Sequence, residues 1–114
     1  MGLASHIGHR SVGDGHPVFV VAEAGINHDG DIKKARELVA AAAECGADAV
    51  KFQTHLPEHE MLRDGETAGY VGESLFGLLK RVELSVDQHR DLQEYASKRG
   101  IIFLSTPFSR EAAD

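Results

Sequence analysis

The sequence predicts an α/β fold in which parallel strands alternate with helices, as in the N-terminal part of a (β/α)8 TIM barrel. Three observations lead to this prediction. Apolar runs at residues 18–22, 49–50 and 101–104 are short, helix-patterned sequence separates them, and polar residues follow each run directly. Short apolar runs that alternate with amphipathic helices are typical of the βαβ units of a parallel sheet.

The first βαβ unit covers the first two predicted strands. Residues 18–22 are apolar on both faces, so we expect this strand to be buried on both sides. After a turn at residues 25–30, Asp31 is a good N-cap for a helix whose apolar residues recur on one stripe. Gly46 stands where a C′ glycine would end this helix. The second strand follows around residues 48–53, which completes a unit of the expected ~30 residues.

The connection after the second strand is long and irregular. Residues 54–72 have no clean hydrophobic period and contain Pro57 and three glycines. A connection of this length in a compact domain is more often functional than idle. A short helix is expected next, with four apolar residues on one face: Leu75, Leu78, Leu79 and Val82.

The helix that follows has clear start and stop signals. Ser85 and Gln88 form a capping-box pattern at its beginning, and Gly100 follows two basic residues at its end. The third strand starts at once at residues 101–104. It ends at Pro107, which has no N–H group to donate to a neighbouring strand.

The order of these elements predicts the domain organisation. Ser109 is placed to cap a further helix, of which the sequence contains only the first turn. A complete (β/α)8 barrel typically needs ~250 residues. We therefore expect residues 17–114 to be the N-terminal portion of an incomplete, truncated barrel. Residues 1–16, rich in Gly, His and Ser, are expected to form a flexible or loosely docked arm.

The composition excludes several classes of protein. Of the 114 residues, 42% are hydrophobic and 26% are charged, as in ordinary globular proteins. The formal net charge of −6 argues against a nucleic-acid partner. The apolar runs are far shorter than the ~20 residues of a membrane span. The single Cys45 favours a reducing cytoplasm, and we expect it to be a small buried side chain on a helix.

The polar residues at the predicted strand ends are the candidate functional group. Glu23 follows the first strand, Lys51 and Gln53 end the second, and Thr106 ends the third. Since the carboxyl ends of parallel strands lie at one edge of the sheet, we expect these four side chains to converge on one pocket. Lys51 and Gln53 are two residues apart and therefore share one face of their strand.

Each of these side chains also has a structural explanation. Lys51 is costly to bury without an anionic partner, which Glu23 or a ligand would supply, unless it extends to solvent. Glu23 is either a general acid or base in a dry pocket or a carboxylate that caps the following turn. Thr106 is held extended by Pro107, and its hydroxyl contacts either a ligand or a neighbouring backbone group.

The histidines and the acidic loop residues give weaker signals. A metal site of His28, His55 and His59 is conceivable, but Pro57 argues against a helix that aligns the last two, and we assign no metal ligand. Four other histidines are expected to be exposed: His6, His9, His16 and His89. Four acidic residues are expected to form a solvated loop face: Glu58, Glu60, Asp64 and Glu66.

Three ordered motifs resemble the N-terminal segment of the N-acetylneuraminate (sialic acid) synthase family. They are AEAGINHDG at residues 22–30, GADAVKFQT at residues 46–54 and FLSTPF at residues 103–108. The resemblance runs from about Pro17 to the end of the sequence. Ala24 is a departure, since the family commonly has Ile at this position.

The resemblance implies a condensation of phosphoenolpyruvate with an N-acetylhexosamine, such as N-acetylmannosamine, to a nine-carbon 2-keto sugar acid and phosphate. It implies that Lys51, Gln53 and Thr106 hold phosphoenolpyruvate, and that Glu23 contacts the sugar and assists proton movement. Glu23 and Lys51 are therefore the catalytic candidates. Two further substrate-binding candidates lie in the same motifs: Asn27 and Ser105.

The resemblance also implies partners outside this chain. The family uses a divalent metal, Mn²⁺ or Mg²⁺, whose histidine ligands lie on later strands. A C-terminal domain of a partner subunit closes the site, which implies a homodimeric parent enzyme. We therefore expect the 114-residue chain alone to be inactive.

Two other functions stay open at this point. A desolvated Lys51 is suited to a Schiff-base aldolase. Alternatively, the chain is a non-catalytic domain that only binds or self-associates through an exposed sheet edge.

Overall fold

The computed structural model describes residues 2–62, 67–68 and 72–114. Its strands are β1 (Ser5–Ile7), β2 (Arg10–Val12), β3 (Val21–Gly25), β4 (Ala49–Thr54), β5 (Thr67–Ala68), β6 (Glu73–Ser74) and β7 (Ile102–Pro107). Its helices are α1 (Ile32–Glu44), α2 (Leu75–Arg81), α3 (Val86–Lys98) and α4 (Arg110–Ala113), and a 3-10 turn covers Pro57–His59. None of the helices in these ranges is long and apolar enough to cross a membrane.

Strands β3, β4 and β7 form a parallel sheet in that spatial order. The predicted alternation of parallel strands with helices is therefore confirmed. Within the described sheet, β4 is the central strand and pairs on both sides. Its register sets Lys51 opposite Glu23 of β3, and Gln53 opposite Thr106 of β7.

The two long helices begin and end as the sequence predicts. The carboxylate of Asp31, the N-cap of α1, accepts a hydrogen bond from Lys33 N at 2.8 Å. Gly46 follows the end of α1 with φ of 82°, a left-handed conformation that glycine adopts without steric cost. At the start of α3, Ser85 and Gln88 make both hydrogen bonds of the capping box.

α1 and α3 pack on one face of the sheet and bury its apolar side. The ring centroids of Phe52 and Phe103, on neighbouring strands, lie 5.6 Å apart. The core that these elements form contains Ala35 and Val39 of α1, Leu92 and Ala96 of α3, and Val50 and Phe52 of β4.

The first strand differs from its prediction in position and in burial. The structure has β3 at Val21–Gly25, whereas the sequence predicts a strand at residues 18–22. Val18 is 83% exposed and Val20 is 50% exposed. The prediction of two buried faces is wrong for β3, because α1 and α3 pack on the face that includes Ala22, and Val21, on the other face, is 41% exposed.

Residues 1–16, expected to be a flexible arm, contain the antiparallel hairpin of β1 and β2. Asp48, just before β4, fastens this hairpin to the sheet by an ion pair with Arg10 and accepts a hydrogen bond from Val20 N at 2.7 Å. The Val20 N–H, followed by the Arg10 guanidinium, lowers the pKa of the Asp48 carboxyl below its usual value. The N-terminal ends of the strands are therefore tied together.

The connection after β4 has more regular structure than the sequence predicts. It contains the 3-10 turn at Pro57–His59 and an antiparallel pairing of β5 with β6. Residues 63–66 and 69–71, with Asp64 and Glu66 of the acidic loop face, lie outside the described residues. The predicted short helix is confirmed as α2, in which Leu79 is buried, and the C-cap residue Val82 is buried as well.

Cys45 corrects a second expectation about burial. It is the C-cap residue of α1 and is exposed, not buried. The apolar stripe of α1 that faces the core ends before it, with Ala42 as the last buried residue of the helix.

We expect Leu92→Ala to lower the free energy of unfolding by about 2–5 kcal/mol, because Leu92 is fully buried between α3 and the sheet and the substitution leaves a cavity. Denaturant titration followed by circular dichroism measures this change. Val86→Ala, which shortens a 66% exposed side chain on the same helix, is the matched control and should change it by less than about 0.5 kcal/mol. Equal effects of the two substitutions would contradict this description of the core.

Candidate functional site

Glu23 and Lys51 meet where β3 and β4 end. Lys51 Nζ lies 3.3 Å from Glu23 Oε2, and Glu23 Oε1 accepts a hydrogen bond from Gly25 N at 3.0 Å. Lys51 is 37% exposed and Glu23 is 50% exposed, so both remain accessible to a ligand. A fixed carboxylate and an accessible ammonium group therefore lie side by side near the carboxyl ends of the strands.

Gly25 produces this geometry through its backbone conformation. Its φ is 56°, and the pairing of β3 with β4 shifts register between Glu23 and Gly25. Glycine adopts this left-handed conformation readily, whereas other residues are strained by it. The shift turns the Gly25 N–H back towards the Glu23 carboxylate, which keeps that carboxylate in place.

Gln53 and Thr106 lie on the same face of the sheet as Lys51. Side chains alternate along a strand, so Lys51 and Gln53 share a face, and Thr106 stands opposite Gln53 in the parallel register. The structure thus brings the four predicted strand-end residues to one face at the carboxyl edge. They present an ammonium group, a carboxylate, an amide and a hydroxyl.

Gln53 is also connected to His55 and Glu60 just after β4. Gln53 Oε1 lies 2.9 Å from His55 Nε2, and His55 Nδ1 lies 2.9 Å from Glu60 Oε2. The second oxygen of Glu60 accepts a hydrogen bond from Leu56 N at 2.7 Å. The His55 ring stacks on Phe108, with ring centroids 4.1 Å apart. These contacts form a continuous polar chain that ends at Gln53.

These hydrogen bonds show that the prediction of a solvated loop face is wrong for Glu60. The Glu60 side chain is 7% exposed and that of His55 is 8% exposed. Pro57 starts a tight 3-10 turn, which brings Glu60 back to His55 five residues earlier. The sequence signal for this contact is Pro57 between His55 and Glu60, since a proline favours a tight turn that returns the chain.

Ser105 does not join the strand-end group. Its position in β7 is registered with the buried Phe52, which puts it on the helix-facing side. Its hydroxyl bonds to Thr54 Oγ1, which lies 3.3 Å from His89 Nε2 on α3. His89, expected to be exposed, is half-buried and its Nδ1 bonds to the Ser85 carbonyl. These contacts join α3 to the strand ends.

Asn27 is separated from the strand-end group as well. It lies in the turn after β3, where its N–H donates to the Ala24 carbonyl at 3.1 Å. Its exposed side chain borders a shallow groove on the outer side of α1, beside Lys34 and Leu38. The structure therefore brings together Glu23, Lys51, Gln53 and Thr106, but neither Asn27 nor Ser105.

His28 supports the turn after β3 from inside. It is 1% exposed, its Nδ1 accepts a hydrogen bond from Gly30 N at 2.9 Å, and its ring lies 6.0 Å from that of Phe52. Burial, and then the nearby His89, lowers the pKa of the His28 imidazole below its usual value, although Asp29 opposes this effect. His28 is a neutral structural group in the turn.

The side chains of the described residues do not form a metal site. In residues 2–62, 67–68 and 72–114, no three His, Cys, Asp or Glu side chains cluster in a way that would hold a metal ion. His55 is engaged by Gln53 and Glu60, and His59 faces Glu111 at 3.7 Å. The metal that the resemblance implies therefore does not fit the residues described in this chain.

A parallel sheet with helices on one face and charged groups at the carboxyl ends of its strands is the arrangement of a (β/α)8-barrel enzyme. Comparison with known proteins identifies the family within this class. Residues 38–114 match the model of the NeuB family, and the chain belongs to this family. The resemblance to sialic acid synthases is thereby confirmed.

Individual relatives agree with the family. The chain is 41% identical over 113 residues to N,N'-diacetyllegionaminic acid synthase of Legionella pneumophila, covering 94% of this chain and 32% of that protein. It is 36% identical over 110 residues to N-acetylneuraminate-9-phosphate synthase of Homo sapiens, covering 92% and 31%.

A solved structure confirms the fold class. N-acetylneuraminic acid (sialic acid) synthetase from Leptospira borgpetersenii superposes with a TM-score of 0.81 at 33% identity, covering 99% of this chain and 37% of that chain. The chain thus corresponds to part of a TIM-barrel enzyme. It spans about a third of the length of these relatives.

We expect the burial of His28 to make the chain less stable in mild acid. Its pKa is lower in the folded chain, so the unfolded chain binds more protons below the ordinary imidazole value of 6.5. The free energy of unfolding therefore falls as the pH drops below 6.5, by at most about 1.4 kcal/mol per pH unit for this one group.

Denaturant titrations at about pH 7.5 and about pH 5.5 measure this loss, since the ordinary imidazole pKa lies between them. His28→Asn keeps an acceptor for the Gly30 N–H and should reduce the difference between the two conditions. His6→Asn, at an exposed position in β1, should leave the difference unchanged. An unchanged pH dependence in His28→Asn would refute the role of His28.

Proposed function

We propose that this chain supplies the phosphoenolpyruvate side of the active site of a sugar acid synthase. The observation that supports this proposal is the Lys51–Glu23 pair at the strand ends, with Gln53 and Thr106 on the same face. An anionic three-carbon substrate needs a cation and several hydrogen-bond donors, and this face contains them. The names of the relatives, synthases of sialic and legionaminic acids, support the same chemistry.

In the proposed reaction, C3 of phosphoenolpyruvate bonds to the aldehyde carbon of an open-chain N-acetylhexosamine. Water adds to C2, and phosphate leaves with cleavage of its C–O bond. The products are inorganic phosphate and a 2-keto sugar acid, which has nine carbons when the acceptor is N-acetylmannosamine. A phosphate leaving group and a carboxylate both carry negative charge, so the binding site must be positively charged where they lie.

Lys51 supplies the positive charge that this negatively charged substrate requires. Its contact with Glu23 is 3.3 Å long and partly exposed, so the ammonium group can turn towards an anion without a large loss of binding energy. Glu23 stays in place when this happens because Gly25 N–H holds its other oxygen. Glu23 is then free to accept a hydrogen bond from a sugar hydroxyl or to move a proton.

Gln53 and Thr106 complete the phosphoenolpyruvate contacts in this proposal. They face each other across β4 and β7, next to Lys51. The hydroxyl and the amide provide neutral hydrogen bonds that orient the substrate, whereas Lys51 provides the charge. Orientation of this kind is what converts a bound pair of substrates into a reactive one.

The remaining parts of the proposed enzyme lie outside the described residues. We place the ligands of a Mn²⁺ or Mg²⁺ ion there, and propose a homodimer whose second subunit closes the site. We propose the cytoplasm as its compartment, since the single Cys45 implies no internal disulfide. The alternative of a Schiff-base aldolase is less favoured because Lys51 is ion-paired and partly exposed, not desolvated.

We expect phosphoenolpyruvate to bind the 114-residue chain at the strand ends. Titration of the ¹⁵N-labelled chain should shift the amide resonances of Lys51, Gln53 and Thr106. Lys51→Gln should weaken binding by about 10–100-fold, because it removes a charged hydrogen-bond donor. The matched control is Lys98→Gln, which removes a lysine that pairs with Glu94 on α3, and it should leave the affinity unchanged.

Three results would count against the proposal. Resonance shifts spread over the surface, or equal affinity in Lys51→Gln and wild type, would show that phosphoenolpyruvate does not bind at the strand ends. Reduction with borohydride in the presence of pyruvate, followed by mass spectrometry, should give no adduct on Lys51. An adduct there would establish the Schiff-base alternative instead.

A further inference from the structure

The side-chain amide of Gln53 has an oxygen and an NH₂ group that form opposite kinds of hydrogen bond. Its oxygen accepts hydrogen bonds, whereas its NH₂ group donates them, so the orientation of the amide decides what kind of ligand atom it can hold. In the structure Oε1 lies 2.9 Å from His55 Nε2. The oxygen is therefore engaged by the protein, and the NH₂ group is left for other contacts.

The NH₂ group lies near the space over Gly25, beside Glu23. A Cβ atom built on Gly25 would lie 3.7 Å from Gln53 Nε2 and 3.7 Å from Glu23 Oε1. Gln53 Nε2 and the Glu23 carboxylate thus border the same small space over Gly25. A ligand oxygen next to Lys51 would meet an N–H donor from Gln53 there.

His55 is itself held from two sides. Its Nδ1 lies 2.9 Å from Glu60 Oε2, and its ring stacks on Phe108 at 4.1 Å between centroids. Both ring nitrogens face oxygen atoms that accept hydrogen bonds, so each nitrogen is placed to donate one. A hydrogen bond to the Glu60 carboxylate is charge-assisted, which makes it stronger than a neutral one.

Glu60 is fixed by the backbone. Its Oε1 accepts the Leu56 N–H at 2.7 Å, in the turn that Pro57 begins. The side chains of Glu60 and His55 are only 7% and 8% exposed, so water does not compete freely for these bonds. The orientation of the imidazole is thus set by the turn and is transmitted to Gln53.

We infer that Glu60 and His55 are positioning residues that hold the Gln53 amide with its NH₂ group facing the bound ligand. Neither residue contacts the ligand in this scheme. The ligand atom that Gln53 recognises is an oxygen that accepts hydrogen bonds, of the kind that a carboxylate or phosphate ester presents. The identity of that ligand as phosphoenolpyruvate rests on the proposed function, whereas the orientation of the amide does not.

The test is NMR spectroscopy of the 114-residue chain without ligand, labelled with ¹⁵N. In the wild type, the Gln53 NH₂ protons should show nuclear Overhauser effects to the Gly25 Hα protons. His55→Phe keeps a ring that can stack on Phe108 but has no N–H to donate. In that variant these effects should fall at least about threefold, because the amide is then free to rotate or flip.

A conservative variant separates hydrogen bonding from simple packing. In Glu60→Gln, the amide oxygen still accepts the Leu56 N–H and the amide nitrogen donates to His55 Nδ1, which leaves a proton on Nε2 for Gln53. The wild-type effects to Gly25 should therefore persist, whereas Glu60→Ala should lose them. His6→Phe, on the exposed β1, is the control and should change nothing.

Several outcomes would overturn the inference. They are wild-type effects from the Gln53 NH₂ protons to the His55 ring instead of Gly25, full-strength effects in Glu60→Ala, and loss of the effects in Glu60→Gln. If His55→Phe does not fold, the two Glu60 variants decide the question by themselves.

A second readout separates this inference from the proposed function. Phosphoenolpyruvate titrated into His55→Phe should bind about tenfold more weakly than to the wild type, as expected for the loss of one oriented hydrogen bond to an anion. If the wild type shows the Gly25 effects but binds no phosphoenolpyruvate, the positioning of Gln53 holds and the proposed function fails. If the ligand binds but the Gly25 effects are the same in every variant, the proposed function holds and the positioning fails.

Discussion

The parallel pairing of β4 with a strand on each side is the constraint on which the rest of this structure depends. Because side chains alternate along a strand, the register of β4 divides its residues between an apolar face and a polar face. Phe52 and its apolar neighbours lie against α1 and α3, while Lys51 and Gln53 lie on the other side. A shift of one residue would turn the charged group into the core, so burial of the apolar face fixes the geometry of the polar one.

The two ends of the strands differ in the contacts that their side chains make. At the N-terminal ends, Asp48 joins the first hairpin to the sheet through Arg10 and Val20. At the carboxyl ends, Glu23 and Lys51 remain partly exposed. Separating the ties that stabilise the sheet from the groups available for chemistry is a general property of βα barrels. It leaves the residues at the carboxyl edge available for the ligand binding that we propose, because they are not required for the cohesion of the sheet.

The chain belongs to the NeuB family, and we propose that its strand ends contact substrate. The segment after β4 supports one of these strand-end residues. His55 and Glu60 lie behind Gln53, buried and bonded in series. A side chain held in this way loses little conformational freedom when it binds a ligand, which favours binding. A loop that looks merely acidic in the sequence is thus part of the support for the site.

The sequence by itself determined the two long helices, the order of the three parallel strands and the family, because these follow from local rules: cap residues such as Asp31 and Ser85, a 3.6-residue period, and motifs at the strand ends. It also identified Glu23, Lys51, Gln53 and Thr106, since the carboxyl edge of a parallel sheet can be inferred from strand order. Only the tertiary structure decided the contacts that depend on neighbours distant in sequence or on a turn. Strand register turned Ser105 towards α3, the 3-10 turn buried Glu60 against His55, and the packing of α1 and α3 on one face of the sheet left Val21 of β3 exposed on the other. Burial is a property of what packs against a residue, and that is known only once the chain is folded.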